Sequence, residues 1–466
     1  MRRKKTISGR KIANRKSEHG IIITLVAVFM LGVIGAMAAL SIDVVTLYTA
    51  RSEAQLAADA GALAGARVLA NSGMTSASSS AVGGNAVPLA IAVATQVAAS
   101  SLVGGRTLNP GASPCVAGQE ICVNIPETGV NFITNPQVTV QVQRADLPTF
   151  FARIWGTTQV KVGASATAEA YNPLGVAGTW PVAPSCVKPW LLPNISPTTT
   201  GGQIFVPSTG AIVDTTLLGW VTPNGGGPGA TRLKTECSVA NGGTADCLPV
   251  GANAPTKWQY YPGTTDDATG SFPAPSASSC TGCGGFNSYQ LSVAGCVQTP
   301  ISCNSTVNID VTTNAARDTE TRTAVDALTH STGNGGDSVD TAAGAMPPAG
   351  TEPFQFLAGT ENPIVLSGAI ASGTDVMVSD SLVTVPVIDT SPATWPPATY
   401  PNGVQIIGFV QLFLNPTGAQ VPFNGHMHTQ VINLVGCGTP AAGGAAGQPI
   451  LGNGASPVAV RLVSPP

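Results

Sequence analysis

Cysteines are the residues of this chain whose chemistry is easiest to infer. An even number of cysteines, all placed after one long apolar segment, is typical of disulfide bonds formed in an oxidising compartment. Short spacing favours the pairs Cys115–Cys122 and Cys237–Cys247, which leaves Cys186 and Cys437 as a long-range pair. The ten candidate disulfide cysteines are Cys115, Cys122, Cys186, Cys237, Cys247, Cys280, Cys283, Cys296, Cys303 and Cys437.

Two other cysteine chemistries are weighed against structural bonds. Cys280 and Cys283 form a Cys-Thr-Gly-Cys motif, but thioredoxin-like chemistry needs that motif at a helix N-terminus, and here Ser and Gly surround it. A zinc site needs close pairs of ligands, and Cys296 and Cys303 lie too far apart in sequence to form one. We therefore expect no metal site and no cofactor. A reducing agent, but not a chelator, should lower the melting temperature.

Four histidines limit acid–base catalysis. His330 follows a helix-like segment and stands beside a polar loop that contains Asn334, Asp337 and Asp340. That loop lacks the alternating carboxylates of a calcium loop, so a turn that ends the helix is the better interpretation.

His426 and His428 share one face if their segment is a strand. A metal-binding pair is one interpretation, and a polar hairpin edge after Asn424-Gly425 is favoured because no third ligand is close in sequence. The sequence has no nucleophile elbow, phosphate loop or dinucleotide fingerprint. We therefore predict a protein without enzymatic activity, with a membrane-tethered hydrolase that uses His330 or the His426/His428 pair as the alternative.

The composition excludes several classes of protein. Lys and Arg number 21 against 24 Asp and Glu, for a net charge of −3, which argues against a nucleic-acid binder. A hydrophobic content of 43% argues against a charged disordered chain. Only 10% of residues are charged, and Gly (54) and Pro (37) are abundant, which points to a loop-rich and strand-rich exported protein.

A hydrophobic segment near the N-terminus determines where the cysteines and histidines lie relative to a membrane. Residues Ile21–Ile42 carry no charge, and 22 residues of helix at about 1.5 Å each can cross a hydrocarbon core of about 30 Å. Eight of the 21 basic residues precede this segment, so the N-terminus is predicted to be cytoplasmic and the bulk periplasmic. A signal peptide cleaved near Ala36-Met37-Ala38 is the alternative, and the length of the span favours a retained single-pass anchor.

An Ala-rich helix follows the span, and its small side chains share one face. Such a face lets another helix approach closely, although helix propensity alone is the simpler explanation of so many alanines. Two central glycines argue against propensity alone, because glycine destabilises a helix. Asp43, at the outer end of the span, is interpreted either as paired with a neighbouring helix or as a solvated interfacial carboxylate. The predicted helix-packing face consists of Ala54, Ala57, Ala58, Gly61, Ala62 and Gly65.

This region resembles a known family. Glu18-His19-Gly20, the apolar span and the segment Ser41–Ala66 are similar to the N-terminal region of TadG-like proteins of the Tad (Flp) pilus assembly system. The matching positions are Asp43, Tyr48, Arg51, Gln55-Leu56 and Ala57-Ala58-Asp59-Ala60. The resemblance implies a structural protein of the bacterial inner membrane in a pilus or secretion apparatus. It also implies that its partners are the lipid bilayer and other pilus-assembly or pilin-like membrane proteins, met through the N-terminal helix.

Two departures limit what is carried over from relatives of this family. Gly20 is followed five residues later by Leu25 rather than Glu, so processing as a pilin is not supported. The string Asp389-Thr390-Ser391-Pro392-Ala393 lacks the second Ser of an Asp-x-Ser-x-Ser metal-dependent adhesion site. A surface adhesin nevertheless stays as a further alternative function.

We expect an α+β fold with a mainly β, disulfide-braced exported part. Alternation predicts strands at Val138–Arg144 and Gln159–Ala170, and Asp146 is expected to cap a short helix over Leu147–Trp155. Later strands are predicted at Gln203–Val206, Ile364–Ile370, Leu382–Ile388, Val404–Leu414, Thr429–Val435 and Val458–Val463, with one helix over Asp318–His330. The predicted division is a basic cytoplasmic N-terminus (1–20), a transmembrane helix (21–42), an Ala-rich periplasmic helix (43–71), a linker with a second helix (72–114), a small α+β unit (115–171) and a mainly β extracytoplasmic domain (172–466).

Overall fold

The structure is a computed structural model, and it describes the parts of the chain that position the candidate site. The described residues are 16–72, 75, 83–110, 115, 118–126, 135–171, 182–184, 186–199, 201–214, 217, 232–233, 259–262, 283–297, 301–309, 315–330, 335–339, 356–368, 370–376, 379–391, 394–399, 402–414, 429–437, 450–452 and 457–463.

One long helix, α1 (Lys16–Asn71), contains both the apolar span and the Ala-rich segment. It has no internal proline, and its 56 residues are mostly good helix formers. The side chains of its apolar span are exposed, whereas the small side chains of its second half are buried. Within the described residues this is the one helix long and apolar enough to cross a membrane.

The second half of α1 forms a small α+β domain with the elements that follow it, and this domain is named the membrane-proximal domain for its predicted location. The helix α2 packs beside α1, and a four-stranded sheet packs against both helices. The order of this sheet is β18-β5-β4-β3, in which β18 (Ala459–Val463) is the last strand of the chain. Val138, Val140 and Val142 alternate along β4 toward these helices, as the sequence pattern predicts. The elements are α2 (Gly83–Ser100), β1 (Leu102–Val103), β2 (Arg106–Thr107), β3 (Ile121–Asn124), β4 (Gln137–Pro148) and β5 (Gln159–Tyr171).

The short helix predicted over Leu147–Trp155 is wrong in its first half. β4 continues through Pro148, and only Ala152–Trp155 forms a single 3-10 turn, which ends at Gly156 with φ 91°. Asp146 does not cap that turn; its carboxylate binds Arg144 and Arg106 instead. Aspartate is a residue type that often caps helices, but here the carboxylate oxygens of Asp146 are bound by the two arginines.

The part of the chain after β5, named the exported part for its predicted location, is mainly β, as predicted. Its elements are β6 (Val182–Pro184), β7 (Trp190–Pro193), β8 (Arg232–Leu233), β9 (Gln259–Pro262), α3 (Ser288–Ala294), β10 (Thr306–Val307), α4 (Ala315–Leu328), β11 (Ser338–Val339), β12 (Phe356–Leu357), α5 (Pro363–Leu366), β13 (Asp375–Val376), β14 (Leu382–Ile388), β15 (Val404–Leu414), β16 (Thr429–Gly436), β17 (Ile450–Gly452) and β18 (Ala459–Val463).

A seven-stranded mixed sheet is the centre of this part. Its order is β10-β15-β14-β7-β9-β8, and β16 also pairs with β15. β14, β15 and β16 are almost wholly buried, which explains their long apolar runs. The helices α3 and α4 contribute Tyr289 and Val325 to the same core as Trp190 and Val385.

Three local predictions in this part are wrong. Residues Ile364–Ile370 were expected to form a strand, but α5 begins there because the Asn362 side chain accepts a hydrogen bond (2.9 Å) from the Ile364 N–H. Only one helix was expected, and α3 was missed although Asn287 and Gln290 form a capping box at its start. At Gln203–Val206 the described backbone makes only an isolated bridge, Phe205 to Ile212.

The chain returns to the membrane-proximal domain at its last strand. β18 pairs antiparallel with β5, so that Ala459 lies opposite Tyr171 and Val463 opposite Thr167. Arg461 binds the Glu169 carboxylate and lies 4.7 Å from the centroid of the Tyr171 ring. The last strand of the chain thus lies in the same sheet as β3, β4 and β5.

Disulfide bonds brace both parts. Cys115–Cys122 is present, as its short spacing predicted. The long-range pair Cys186–Cys437 is wrong, because Cys186 bonds Cys296 and Cys437 bonds Cys303. The reason is the sheet: Val187 and Val297 form a backbone bridge that brings Cys186 beside Cys296, a contact that spacing cannot reveal. Cys283 is also disulfide-bonded, whereas Cys237, Cys247 and Cys280 lie outside the described residues.

Candidate functional site in the membrane-proximal domain

The predicted helix-packing face of α1, which consists of small residues, packs closely against α2. A Cβ added to Gly65 would lie 2.9 Å from Val138 Cγ1 and 3.1 Å from Ala94 Cβ. A Cβ added to Gly61 would lie 3.0 Å from the Ala94 carbonyl oxygen and 3.1 Å from Ala98 Cβ. A Cβ at either position would therefore crowd the neighbouring elements, and glycine lets them approach closely, which is the packing logic of small-residue helix pairs.

The residues that contact this face belong to the same chain. Its members are fully buried and share one core cluster with Ala90, Ala94 and Ala98 of α2. In the folded chain, α2 and the sheet occupy this face. The buried alanines of the face are Ala54, Ala57, Ala58 and Ala62.

Asp43 joins the C-terminal end of the apolar span to the connection between β4 and β5. Its carboxylate accepts backbone N–H hydrogen bonds from Phe150 (2.9 Å), Phe151 (3.0 Å) and Ala152 (2.7 Å). Asp43 is only 3% exposed, so both the solvated carboxylate and the pairing with a neighbouring helix are wrong. Nothing local in sequence links residue 43 to residue 150; the signal is a single acidic residue directly after an apolar span, which indicates that it has a partner.

Replacing Asp43 by asparagine should loosen this connection. Asparagine keeps one acceptor oxygen, so N–H groups of the turn lose a charged partner. We expect amide hydrogen exchange at residues 150–152 to become faster by on the order of tenfold. Hydrogen–deuterium exchange with mass spectrometry on the detergent-solubilised chain measures this.

Asp59→Asn is the matched control on the same helix. The Asp59 carboxylate accepts a hydrogen bond from the Gln55 side chain (2.8 Å), one helical turn away, and not from the β4–β5 connection. Exchange at residues 150–152 should be unchanged in this variant. Equal exchange in Asp43→Asn and the unmodified chain would show that the carboxylate does not hold the turn.

A network of charges fastens the β1–β2 hairpin to the same domain. Arg106 binds Glu120 and Asp146, and the Arg144 guanidinium binds Asp146 (2.8 Å) and the Gly104 carbonyl (2.8 Å). Hydrogen bonds from Arg144 and Arg106 lower the pKa of Asp146 to about 2. Since that pKa is depressed by folding, the stabilisation is present above pH 4 and is lost as the pH falls toward 2.

The distal end of α1 contacts the exported sheet. The Asn433 side chain of β16 donates a hydrogen bond to the Ala70 carbonyl (2.7 Å) and another to Gln411. Val435 of the same strand belongs to the core cluster that contains α1 and α2. Together with β18, this contact joins the exported part to the membrane-proximal domain.

His330, the residue of the hydrolase alternative, pairs with a carboxylate that lies 50 residues further on. Its Nε2 lies 3.1 Å from Asp380 Oδ2, and this hydrogen bond raises the pKa of His330 above its ordinary value, against the effect of burial. Asp337, expected beside it, bonds the Gly359 N–H and the Asn362 side chain. His426, His428, Asn334 and Asp340 lie outside the described residues. Among those that are described, no group of three or more His, Cys, Asp or Glu could hold a metal ion.

A lysine is buried at the end of α3. Lys188 is 4% exposed, and its ammonium donates hydrogen bonds to the carbonyls of Val293 (2.8 Å) and Gly295. Burial lowers the pKa of Lys188 to about 7, and the charge of Asp380 opposes that effect. Because the unfolded lysine titrates near 10.5, the unfolded state binds more protons between pH 7 and that value.

Unfolding free energy should therefore rise with pH above 7, with a slope of up to about 1.4 kcal/mol per pH unit from this group. Lys188→Met should remove that part of the slope, since methionine has no charge to bury. Guanidinium unfolding of the detergent-solubilised chain at pH 6.5, 7.5 and 8.5 measures it. The same slope in both proteins would mean that Lys188 is not the group that titrates.

The fold and the site together define a class of protein. Its long N-terminal helix has an exposed apolar half and a small-residue half that forms the core of an α+β domain. A disulfide-braced, mainly β part follows this domain. Residues 22–68 match the Tad family model, which describes Flp pilus-assembly TadE/G-like proteins. The chain thus carries a TadE/G-like domain, as the resemblance to TadG-like proteins predicted. No curated protein and no solved structure matches the chain significantly.

Proposed function

We propose that this protein is a non-enzymatic, membrane-anchored structural component of a Tad (Flp) type pilus or secretion apparatus. One observation carries the proposal: the TadE/G-like match at residues 22–68 covers both halves of α1, the exposed apolar half and the half that forms the domain core. A bilayer is the environment that would cover the exposed half. In this role the helix would hold the folded domain and the exported sheet at a fixed height outside the membrane.

The orientation follows from charge. Eight basic residues precede the span, whereas Arg51 and Arg67 are the basic residues in the 28 positions after it, up to Ala70. This asymmetry favours a cytoplasmic N-terminus and a periplasmic bulk. The disulfide bonds agree with this side, because they persist in oxidising compartments.

Tag–protease mapping in spheroplasts tests the location. A tag before Arg2 should be protected, and a tag in the linker after Ser72 should be cleaved while the chain stays in the membrane fraction. A mature chain that is trimmed near Ala38 and fully soluble would overturn the anchor.

We expect partner proteins to contact the apolar span of α1 rather than its helix-packing face. Ala58 and Ala62 are buried against α2, whereas Leu31 is exposed in the apolar half of α1. A photo-crosslinking residue at Leu31 should capture pilin-like or other pilus-assembly membrane proteins in cells that assemble pili. The control is Leu56, which is 65% exposed, against 74% for Leu31, but lies outside the span. Lipid adducts alone at Leu31, together with unchanged pilus assembly after deletion of the gene, would contradict the assembly role.

A further inference from the structure

The connection between β4 and β5 lies at the height of the membrane surface. Its N–H groups at residues 150–152 bond Asp43, and Asp43 directly follows the uncharged stretch Ile21–Ile42. Hydrogen bonds of 2.7–3.0 Å place this backbone within one side-chain length of the outer end of the span. If α1 crosses the bilayer as proposed above, the connection must touch the lipid interface.

The rest of the domain rises from this point. Leu147 and Val162, next to the connection, pack with Leu47 and Ala50. Further along β5, the Ser165 carbonyl accepts a hydrogen bond from Gln55, which lies about 18 Å above Asp43 at 1.5 Å per residue. β5 therefore runs away from the membrane alongside α1. Within the described domain, the β4–β5 connection is the part nearest the span.

An exposed aromatic side chain stands at this lowest point. Phe150 is 61% exposed, although its own N–H is bound to the buried Asp43. Arg153, three residues further on, is exposed as well. Phenylalanine enters the boundary between headgroups and acyl chains in interfacial segments, tyrosine is enriched at the headgroup level, and arginine pairs with phosphate. Tyr48, about 7.5 Å along the helix from Asp43, is a second exposed aromatic ring near this level.

We propose that residues 149–156 are a lipid-binding seat. Phe150 inserts at the boundary between headgroups and acyl chains of the outer leaflet, and Arg153 binds lipid phosphate. Asp43 makes the seat rigid, because it ties the turn to the helix that crosses the same leaflet. With two points of attachment, the span and the seat, the domain keeps one tilt relative to the membrane. This inference rests on the membrane anchoring of the proposed function.

Photo-crosslinking in native membranes tests the seat. The full chain carries p-benzoylphenylalanine at one position, and adducts are identified by mass spectrometry after irradiation. Position 150 should give phospholipid adducts in a yield roughly fivefold or more above that of position 462. Leu462 is a fitting control, since it is exposed on β18 opposite Ala168, beyond the level of Ser165. Resistance of the domain to protease checks that each variant is folded.

A third position separates the seat from the anchor. Phe29 is exposed in the middle of the span and should give lipid adducts if α1 crosses the bilayer. Adducts at Phe29 with only the control yield at 150 would overturn the seat and leave the anchor intact. Crosslinks from 150 to a protein instead of lipid would also overturn the seat. The absence of lipid adducts at Phe29 would overturn the anchoring itself.

Discussion

Gly65→Leu is expected to unfold the membrane-proximal domain while the span stays in the membrane. At this position even a single added carbon would lie 2.9 Å from Val138 Cγ1 and 3.3 Å from the Ala90 carbonyl oxygen. Leucine adds four carbons to a site with no free volume, where neither α2 nor β4 can retreat without opening the core. We expect a loss of about 3 kcal/mol or more in the free energy of unfolding, at the upper end of overpacking effects. Limited proteolysis of membranes and thermal unfolding in detergent both measure it.

Gly32→Leu is the matched control on the same helix. No atom lies within 4 Å of a Cβ added to Gly32, so leucine there should leave the domain resistant to protease. Gly65→Ala is an intermediate case, because alanine gains up to about 1 kcal/mol of helix propensity but meets the same neighbours. A Gly65→Leu protein as stable as the unmodified chain would show that α1 and α2 do not approach this closely.

Elements with long and regular patterns could be predicted from the sequence. The strands at Leu382–Ile388 and Val404–Leu414 have the predicted bounds, and β5 extends the predicted strand by one residue. In each of these strands the apolar residues either alternate or run without interruption, so burial of one or both faces of the strand determines its extended conformation. The same holds for α1, where an apolar span runs into an Ala-rich segment with no helix-breaking residue.

Contacts between distant segments could not be predicted. The pairing of β18 with β5 joins residues nearly 300 positions apart, and neither strand differs in composition from strands that pair locally. The partner of Asp43, at 107 to 109 positions away, depends on where the β4–β5 connection arrives after the sheet is formed. The helix-packing face of α1 illustrates what the sequence can and cannot predict. Its small residues indicated close packing, but they did not indicate that α2 of the same chain packs against them.

The two long-range disulfides carry the second of the largest expected effects. Cys186–Cys296 and Cys303–Cys437 close sequence separations of 110 and 134 residues. Cys303 and Cys437 belong to one core cluster with Val187 and Val297, the residues that directly follow Cys186 and Cys296. Closing loops of this length restricts the unfolded chain, which in the chain-entropy model is worth about 4–5 kcal/mol per bond. We expect the double variant Cys303→Ser, Cys437→Ser to lose about 2–5 kcal/mol in the free energy of unfolding of the exported part, measured by guanidinium titration in detergent.

Cys115→Ser with Cys122→Ser is the control, because that bond spans only 7 residues and lies in the membrane-proximal domain. Its removal should have a smaller effect, and it should leave the exported part unchanged. Access to reductant should follow the same division: Cys115 is exposed, whereas Cys437 is 1% exposed behind the sheet. A mild thiol should therefore open Cys115–Cys122 first, and Cys303–Cys437 only as the sheet unfolds. Equal rates of reduction for the two bonds, or no change in stability without Cys303–Cys437, would mean that the sheet neither buries this bond nor depends on it.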